Sequence, residues 1–200
     1  MDSLIQLLFT AFANNFAFYL KSHQFHWAVM GKDFPQYHKV FEKIYTDAQE
    51  SIDAYAEELR RLGQFPQGDL ADIMTMSLIA SAPADASKRD PQEMFLLLLT
   101  DLEQIVATLQ DTYDAGTAER EYGLQNFLAD RISQHRKSQW MLTAIVTPCV
   151  EYQAENLTYA SHTMTNPDTG ETVEITTADE HQAAIDAGYT EDSAPYAEGA

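Results

Sequence analysis

Cysteine is nearly absent: Cys149 stands alone in 200 residues, so no intrachain disulfide and no cysteine-based metal pair is available. Long apolar runs are missing too. The longest, Met94–Leu99, is far short of the roughly 18–20 residues a membrane span needs. Positive charge is scarce, with 12 Lys and Arg against 31 Asp and Glu and a formal net charge of −19. Residues 151–200 contain no Lys or Arg at all and carry −11, leaving −8 on residues 1–150. Nucleic acid is held chiefly through phosphate neutralisation by Lys and Arg, so this composition argues against it as a ligand. The opening MDSLIQLLFTAFANNF has an acid and no base before Lys21, unlike the charged head of a signal peptide. A cytoplasmic protein with no membrane partner is the expectation.

What is present is enough apolar material for a core, at 45% hydrophobic residues, and it is arranged with helical period. Leu4, Leu7, Leu8, Ala11, Phe12, Phe16, Tyr19 and Leu20 recur at three and four residues, with Ser3 as a candidate cap and Gly31 as a stop. Asp33, Pro35 and Gln36 start a second helix, expected over Pro35–Leu62 and ended by Gly63. Gly63, Pro66, Gly68 and Pro83 interrupt the next stretch, inside which Leu70–Ala80 has the pattern of a short helix. Asp90–Pro91–Gln92–Glu93 starts a third long helix, expected to stop at Gly116, with a fourth restarting at Thr117 and ending before Pro148.

The connections are therefore short, long and short, and a long one can cross the bundle and reverse its sense. The expected fold is all-α: a ferritin-like four-helix bundle over residues 1–150, with one long crossover containing a short helix. Residues 151–200 are expected to form a small acidic appendage. In it, residues 161–176 make a hairpin around Asn-Pro-Asp-Thr-Gly, Thr177–Glu180 caps a short helix, and residues 189–200 are disordered.

Ligand-type side chains concentrate in the first two helices: His23, His26, His38, Glu42, Asp47, Asp53 and Glu57. His38 with Glu42, and Asp53 with Glu57, are each four apart and share a helix face. Imidazole mixed with carboxylate suits Fe²⁺, Mn²⁺ or Zn²⁺. No histidine has Glu three residues before it, so the Glu-x-x-His di-iron pattern of many ferritin-like bundles is absent. Glu50, Glu58 and Glu103 read as solvated charge, and His135 and His162 as ordinary polar residues.

The run KSHQFHWAVMGKDFPQYHKVFEKIYTDAQESIDAYAEELRRLGQFP closely resembles the central motif of the Dps miniferritins. It carries His-Trp, a Gly-containing loop, Phe-x-x-x-His, Phe-Glu-x-x-Tyr, Asp-x-x-Ala-Glu and Leu-Gly-x-x-Pro. HRKSQWMLTAIV is similar to the family's last-helix signature, and the likeness covers about residues 3–147. The resemblance implies a hollow homo-oligomer, a dodecamer, that oxidises Fe²⁺ with hydrogen peroxide (O₂ being the other candidate oxidant) and stores ferric mineral. It implies His26, His38, Asp53 and Glu57 as iron ligands, with Glu42 where the family commonly has Asp, and Trp27 beside the centre. Asp114, Glu119 and Glu121, near the third-to-fourth helix junction, read either as the lining of an iron-entry pore or as ordinary helix-terminus charge. Alternatives are a noncatalytic scaffold or virion-associated assembly protein acting through its tail, which loosely resembles modules on proteins of phages infecting cyanobacteria, and a DNA-compacting protein, which the charge disfavours.

Because His38 and Asp53 are fifteen residues apart, they are separated by roughly 22 Å along one helix. Metal–ligand bonds are about 2 Å long. The two pairs cannot meet at one ion within one chain, but two copies of the helix laid antiparallel across a two-fold axis near Asp47 and Ala48 would bring them together.

Overall fold

In the computed structural model, residues 1–66, 68–81, 89–148 and 161–191 are described. They divide between two compact units, Met1–Thr147 and Pro148–Ala200. The first unit holds helices α1 (Asp2–Ala28), α2 (Phe34–Arg61), α3 (Leu70–Met76), α4 (Pro91–Glu119) and α5 (Tyr122–Val146). The apolar period buries Leu4, Leu8, Phe12, Phe18 and Phe25 of α1 against Phe41, Ile44, Tyr55 and Leu59 of α2 and Phe95, Leu98, Leu102 and Leu109 of α4. By length and apolarity alone α1 could cross a membrane, yet more than half of its most apolar stretch is buried in this core.

Side-chain bonds fix the helix directions. Asn15 of α1 donates to the Ala48 carbonyl of α2 at 2.8 Å while His26 meets His38, so the two helices run antiparallel. Lys21 pairs with Asp101 and Asn14 with Thr108, which sets α1 antiparallel to α4. Asp47 pairs with Arg131 and Tyr55 packs edge-on against Phe127, which sets α2 antiparallel to α5. It follows that α2 and α4 are parallel, as only a crossover spanning the bundle allows. That crossover is tied to α1 at one residue: Asn14 Oδ1 accepts from Ser77 Oγ (3.1 Å) and from the Leu78 amide (2.7 Å).

Several local expectations are corrected. Neither Ser3 nor Asp33 caps through its side chain; α1 begins one residue before Ser3, and Asp33 is an N-cap by position only. Asp69 and Asp90, by contrast, accept amide bonds from the first turns of α3 and α4. Gly116 does not end α4. The helix runs on to Glu119, and Arg120 takes the left-handed turn at φ 63°, closed by Glu121 N to Gly116 O at 2.9 Å. Glu58 is buried, not solvated, because Arg61 one turn on covers and pairs with its carboxylate. His135 is 1% exposed, inside the bundle. Ala48 is likewise fully buried, so only the axial level of the expected crossing can lie there, and the outward residue next to it is Gln49.

In the second unit, β1 (His162–Thr165) pairs antiparallel with β2 (Thr172–Ile175), His162 opposite Ile175. Asn166 Oδ1 accepts from the amides of Asp168 and Thr169 to shape the turn, and Gly170 supplies φ 73°. Thr177 and Glu180 form the reciprocal capping box of α6 (Ala178–Asp186). A third strand, β3 (Thr190–Glu191), adds to the other edge of β1 where disorder was expected from residue 189 onwards. The rest of that expectation, residues 192–200, lies outside the described residues. Met164, Ile175 and Ala184 make the small core of this unit.

Candidate metal centre

The best-defined part of the site joins the end of α1 to the start of α2. His26 Nδ1 lies 3.0 Å from the His38 carbonyl oxygen, and His38 Nδ1 lies 2.9 Å from the His26 carbonyl oxygen. A carbonyl only accepts, so each Nδ1 carries a proton, and the neutral tautomer this selects is the one with its lone pair on Nε2. Fixing the tautomer through the second nitrogen is how metal-binding histidines are usually prepared. The two rings stack at 3.6 Å between centroids, which aligns them as a pair. Both are half-buried.

Aromatic rings pack around this pair. Tyr45 meets His26 edge-on at 5.0 Å and lies flat against His23 at 3.9 Å, while Trp27 is 4.2 Å from His23 on the other side. Burial in this stack, and then the neighbouring His26, lower the His23 pKa from its usual value. Of these residues, Tyr45 was legible in the sequence as the aromatic of the Phe-Glu-x-x-Tyr motif, without a role at the centre. Its position seven residues after His38 places it on the same helix face.

Glu42 follows His38 by one turn and is exposed, as are Asp53 and Glu57 farther along α2. Arg61 approaches Glu57 to 3.9 Å across the surface. Thus the chain brings His26, His38 and the Glu42 backbone position to one end of α2 and leaves Asp53 and Glu57 at the other. Among the described residues, no group of three or more His, Cys, Asp or Glu side chains converges to hold a metal ion. Asp47, the remaining ligand-type residue of α2, is engaged elsewhere: Arg131 grips both its carboxylate oxygens, at 2.6 and 3.2 Å.

Comparison with known proteins decides the family. A ferritin-like domain matches residues 5–149, and a DNA protection during starvation protein of Brevibacillus brevis is 30% identical over 134 residues, covering 67% of this chain and 88% of the relative. This chain is a Dps-type miniferritin. A low-temperature-induced protein of Nostoc sp. is 28% identical over 72% of the chain and 80% of its own length. Among solved structures, a Dps protein from Bacillus brevis superposes with TM-score 0.69 at 28% identity, over 73% of this chain and 96% of that one. The Dps protein of Vibrio cholerae, described as a member of a broad superfamily of ferritin-like diiron-carboxylate proteins, gives TM-score 0.69 at 25% identity, over 73% and 90%. The ferritin-like match ends at residue 149, before the acidic residues 151–200.

Proposed function

We propose that this miniferritin oxidises Fe²⁺ at centres shared between two subunits and stores the ferric product inside a closed homo-oligomer, a dodecamer. One observation carries the reading: two imidazoles at one end of α2 have Nδ1 committed to backbone carbonyls, which reserves Nε2 for a metal, while the carboxylates needed to complete a centre lie at the other end. Half a site at each end of one helix face is what an isologous antiparallel pair would complete, giving two equivalent centres per dimer. His26, His38 and Glu42 of one subunit would then face Asp53 and Glu57 of the other. The diiron-carboxylate description of the Vibrio cholerae relative supports iron as the substrate.

At such a centre the two imidazoles bind Fe²⁺ without charge, and the carboxylates offset the charge gained on oxidation. Hydrogen peroxide is the oxidant: two Fe²⁺ give up one electron each, and peroxide with two protons leaves as two waters. Peroxide consumed in this two-electron way yields no hydroxyl radical, which is the protective part of the reading. DNA is not a partner, because an acidic body and an acidic tail repel phosphate.

Mixed dimers test the sharing. In a verified heterodimer of His38→Ala and Asp53→Ala subunits, one centre carries both lesions and the other none, so ferric absorbance after anaerobic Fe²⁺ loading and peroxide addition is expected to return. No recovery would overturn the shared centre, and wild-type protein that never turns over Fe²⁺ would overturn the activity.

A further inference from the structure

Arg131 is 6% exposed, on the side of α5 that faces α2, and its guanidinium is committed to Asp47 by two parallel bonds. The same Nη2 lies 3.4 Å from His135 Nε2, to which it donates. Beside this fork lies the fully buried Tyr55 hydroxyl, which interacts with the guanidinium although neither it nor Arg131 Nε reaches a well-formed hydrogen bond among the described residues. A buried ion pair is poor evidence for stability, because desolvation offsets most of the attraction. What a bidentate fork supplies well is geometry.

The placement of the pair says which geometry. Axially, Asp47 falls midway between His38–Glu42 and Asp53–Glu57. Around the helix, those four residues occupy an arc of roughly 100°, and Asp47 lies about 130° from the centre of that arc. Ala48, whose carbonyl accepts from Asn15 of α1, lies about 130° from it on the opposite side. Two anchors on successive residues, one to α5 and one to α1, therefore fix the rotation of α2 at the level where the two ligand pairs balance. On this flank the helices meet through long side chains, with Lys43 reaching Met141 and Tyr55 reaching Phe127.

The geometry points to Arg131, held on Asp47, as a positioning residue that sets the rotation of the ligand face of α2 relative to His26 on α1. This inference rests on the shared iron centre proposed above and names the part of the bundle that aims it. Side-chain tips lie about 5–6 Å from a helix axis. A turn of ~10° therefore moves the α2 ligands by about 1 Å relative to His26, which does not turn with them. Metal sites hold their distances to within about 0.2 Å.

The test uses the full-length oligomer and Co²⁺ as a spectroscopic probe, titrated anaerobically in the visible, with His38→Ala marking the signal that belongs to the centre. Arg131→Met is expected to weaken His38-dependent Co²⁺ binding about tenfold and change the band shape, with oligomer size retained. Arg131→Lys, which keeps the charge without the fork, is expected to lie between it and wild type. Asp47→Leu/Arg131→Leu, which removes both buried charges, is expected to recover thermal stability without recovering affinity. It also serves if Arg131→Met fails to assemble. Affinity that returns together with stability in the double variant would reduce Arg131 to a structural residue and overturn the inference. Wild-type affinity in every folded variant would overturn it too. Absence of any His38-dependent Co²⁺ signal in the wild type would instead remove the centre itself, and the inference with it.

Discussion

His26 and His38 hold each other: each ring donates its Nδ1–H to the other residue's backbone carbonyl, and the rings stack at 3.6 Å. Removing either imidazole leaves the other without a stacked neighbour and frees the loop between α1 and α2 to relax. The two substitutions are therefore expected to be non-additive. His26→Ala, His38→Ala and the double variant should lose Co²⁺ affinity to nearly the same extent, read in an anaerobic titration. Two independent losses that sum in the double variant would show that the rings bind without supporting each other.

His135 ties stability to pH. Burial, with Arg131 beside it adding to the effect, pushes its pKa down to about 3, against about 6.5 for an unfolded histidine. Between those values the unfolded chain binds the proton and the folded chain does not, so stability rises with pH. The contribution is complete above about pH 6.5 and falls away as acid is added, with a slope approaching ~1.4 kcal/mol per pH unit. Asp101 is raised by burial, against the pull of Lys21, and titrates with the opposite sense. The informative quantity is thus the difference between wild type and His135→Leu. His135→Leu is expected to flatten the loss of thermal stability between pH 6.5 and 4.5, measured by scanning calorimetry. Parallel profiles would contradict a neutral buried imidazole.

The periodic features of this chain were legible before its structure. The cap at Asp90–Pro91, the stripe of α1 and the Thr177–Glu180 box are local patterns, each decided within a few residues. Gly116 misled because a glycine near a helix end is only a permissive signal. The neighbouring Arg120 took the left-handed position three residues after the helix was expected to restart at Thr117. Arg131 drew no reading and His135, one turn on along α5, read as an ordinary polar residue, because nothing local announces a carboxylate 84 positions away from Arg131. The same limit applies to the candidate centre. The His38–Glu42 and Asp53–Glu57 spacings were visible, whereas the mutual carbonyl bonds of His26 and His38 depend on how the α1–α2 turn closes.

Asn14 is the pin of the crossover. Its side chain accepts from Ser77 Oγ and the Leu78 amide and donates to Thr108 Oγ1 at 3.2 Å, all from a fully buried position. Asn14→Ala removes three bonds at once; Thr108 Oγ1 still donates to the Gln104 carbonyl and Ser77 Oγ still accepts from the Ile79 amide, so the cost falls chiefly on the Leu78 amide, about 1–3 kcal/mol for a buried group left unsatisfied. The variant is expected to lose several degrees of thermal stability. Limited proteolysis should cut it first between residues 62 and 90, while iron oxidation well below its melting temperature stays near wild type. Cleavage elsewhere first would mean that Asn14 does not hold the crossover.

The tail contributes charge but none of the candidate ligands. Residues 161–191 build their own sheet and helix around Met164, Ile175 and Ala184, and His26, His38, Glu42, Asp53 and Glu57 all belong to the bundle unit. Truncation after Val150 removes −11 of the formal −19 and leaves the body at −8. Two outcomes are expected. The truncated protein should oxidise Fe²⁺ at a rate close to full length, since its ligand faces and anchors are unchanged. It should also fail to shift duplex DNA at near-physiological salt without added Mg²⁺, because a body that is still acidic offers too few cations to displace the counterions of DNA. A collapse of oxidation in a still-assembled oligomer would place part of the centre in the tail. A gel shift appearing only after truncation would show that the tail masks a basic surface on the bundle, and Arg136 and Lys137, exposed together on α5, would be the first residues to neutralise.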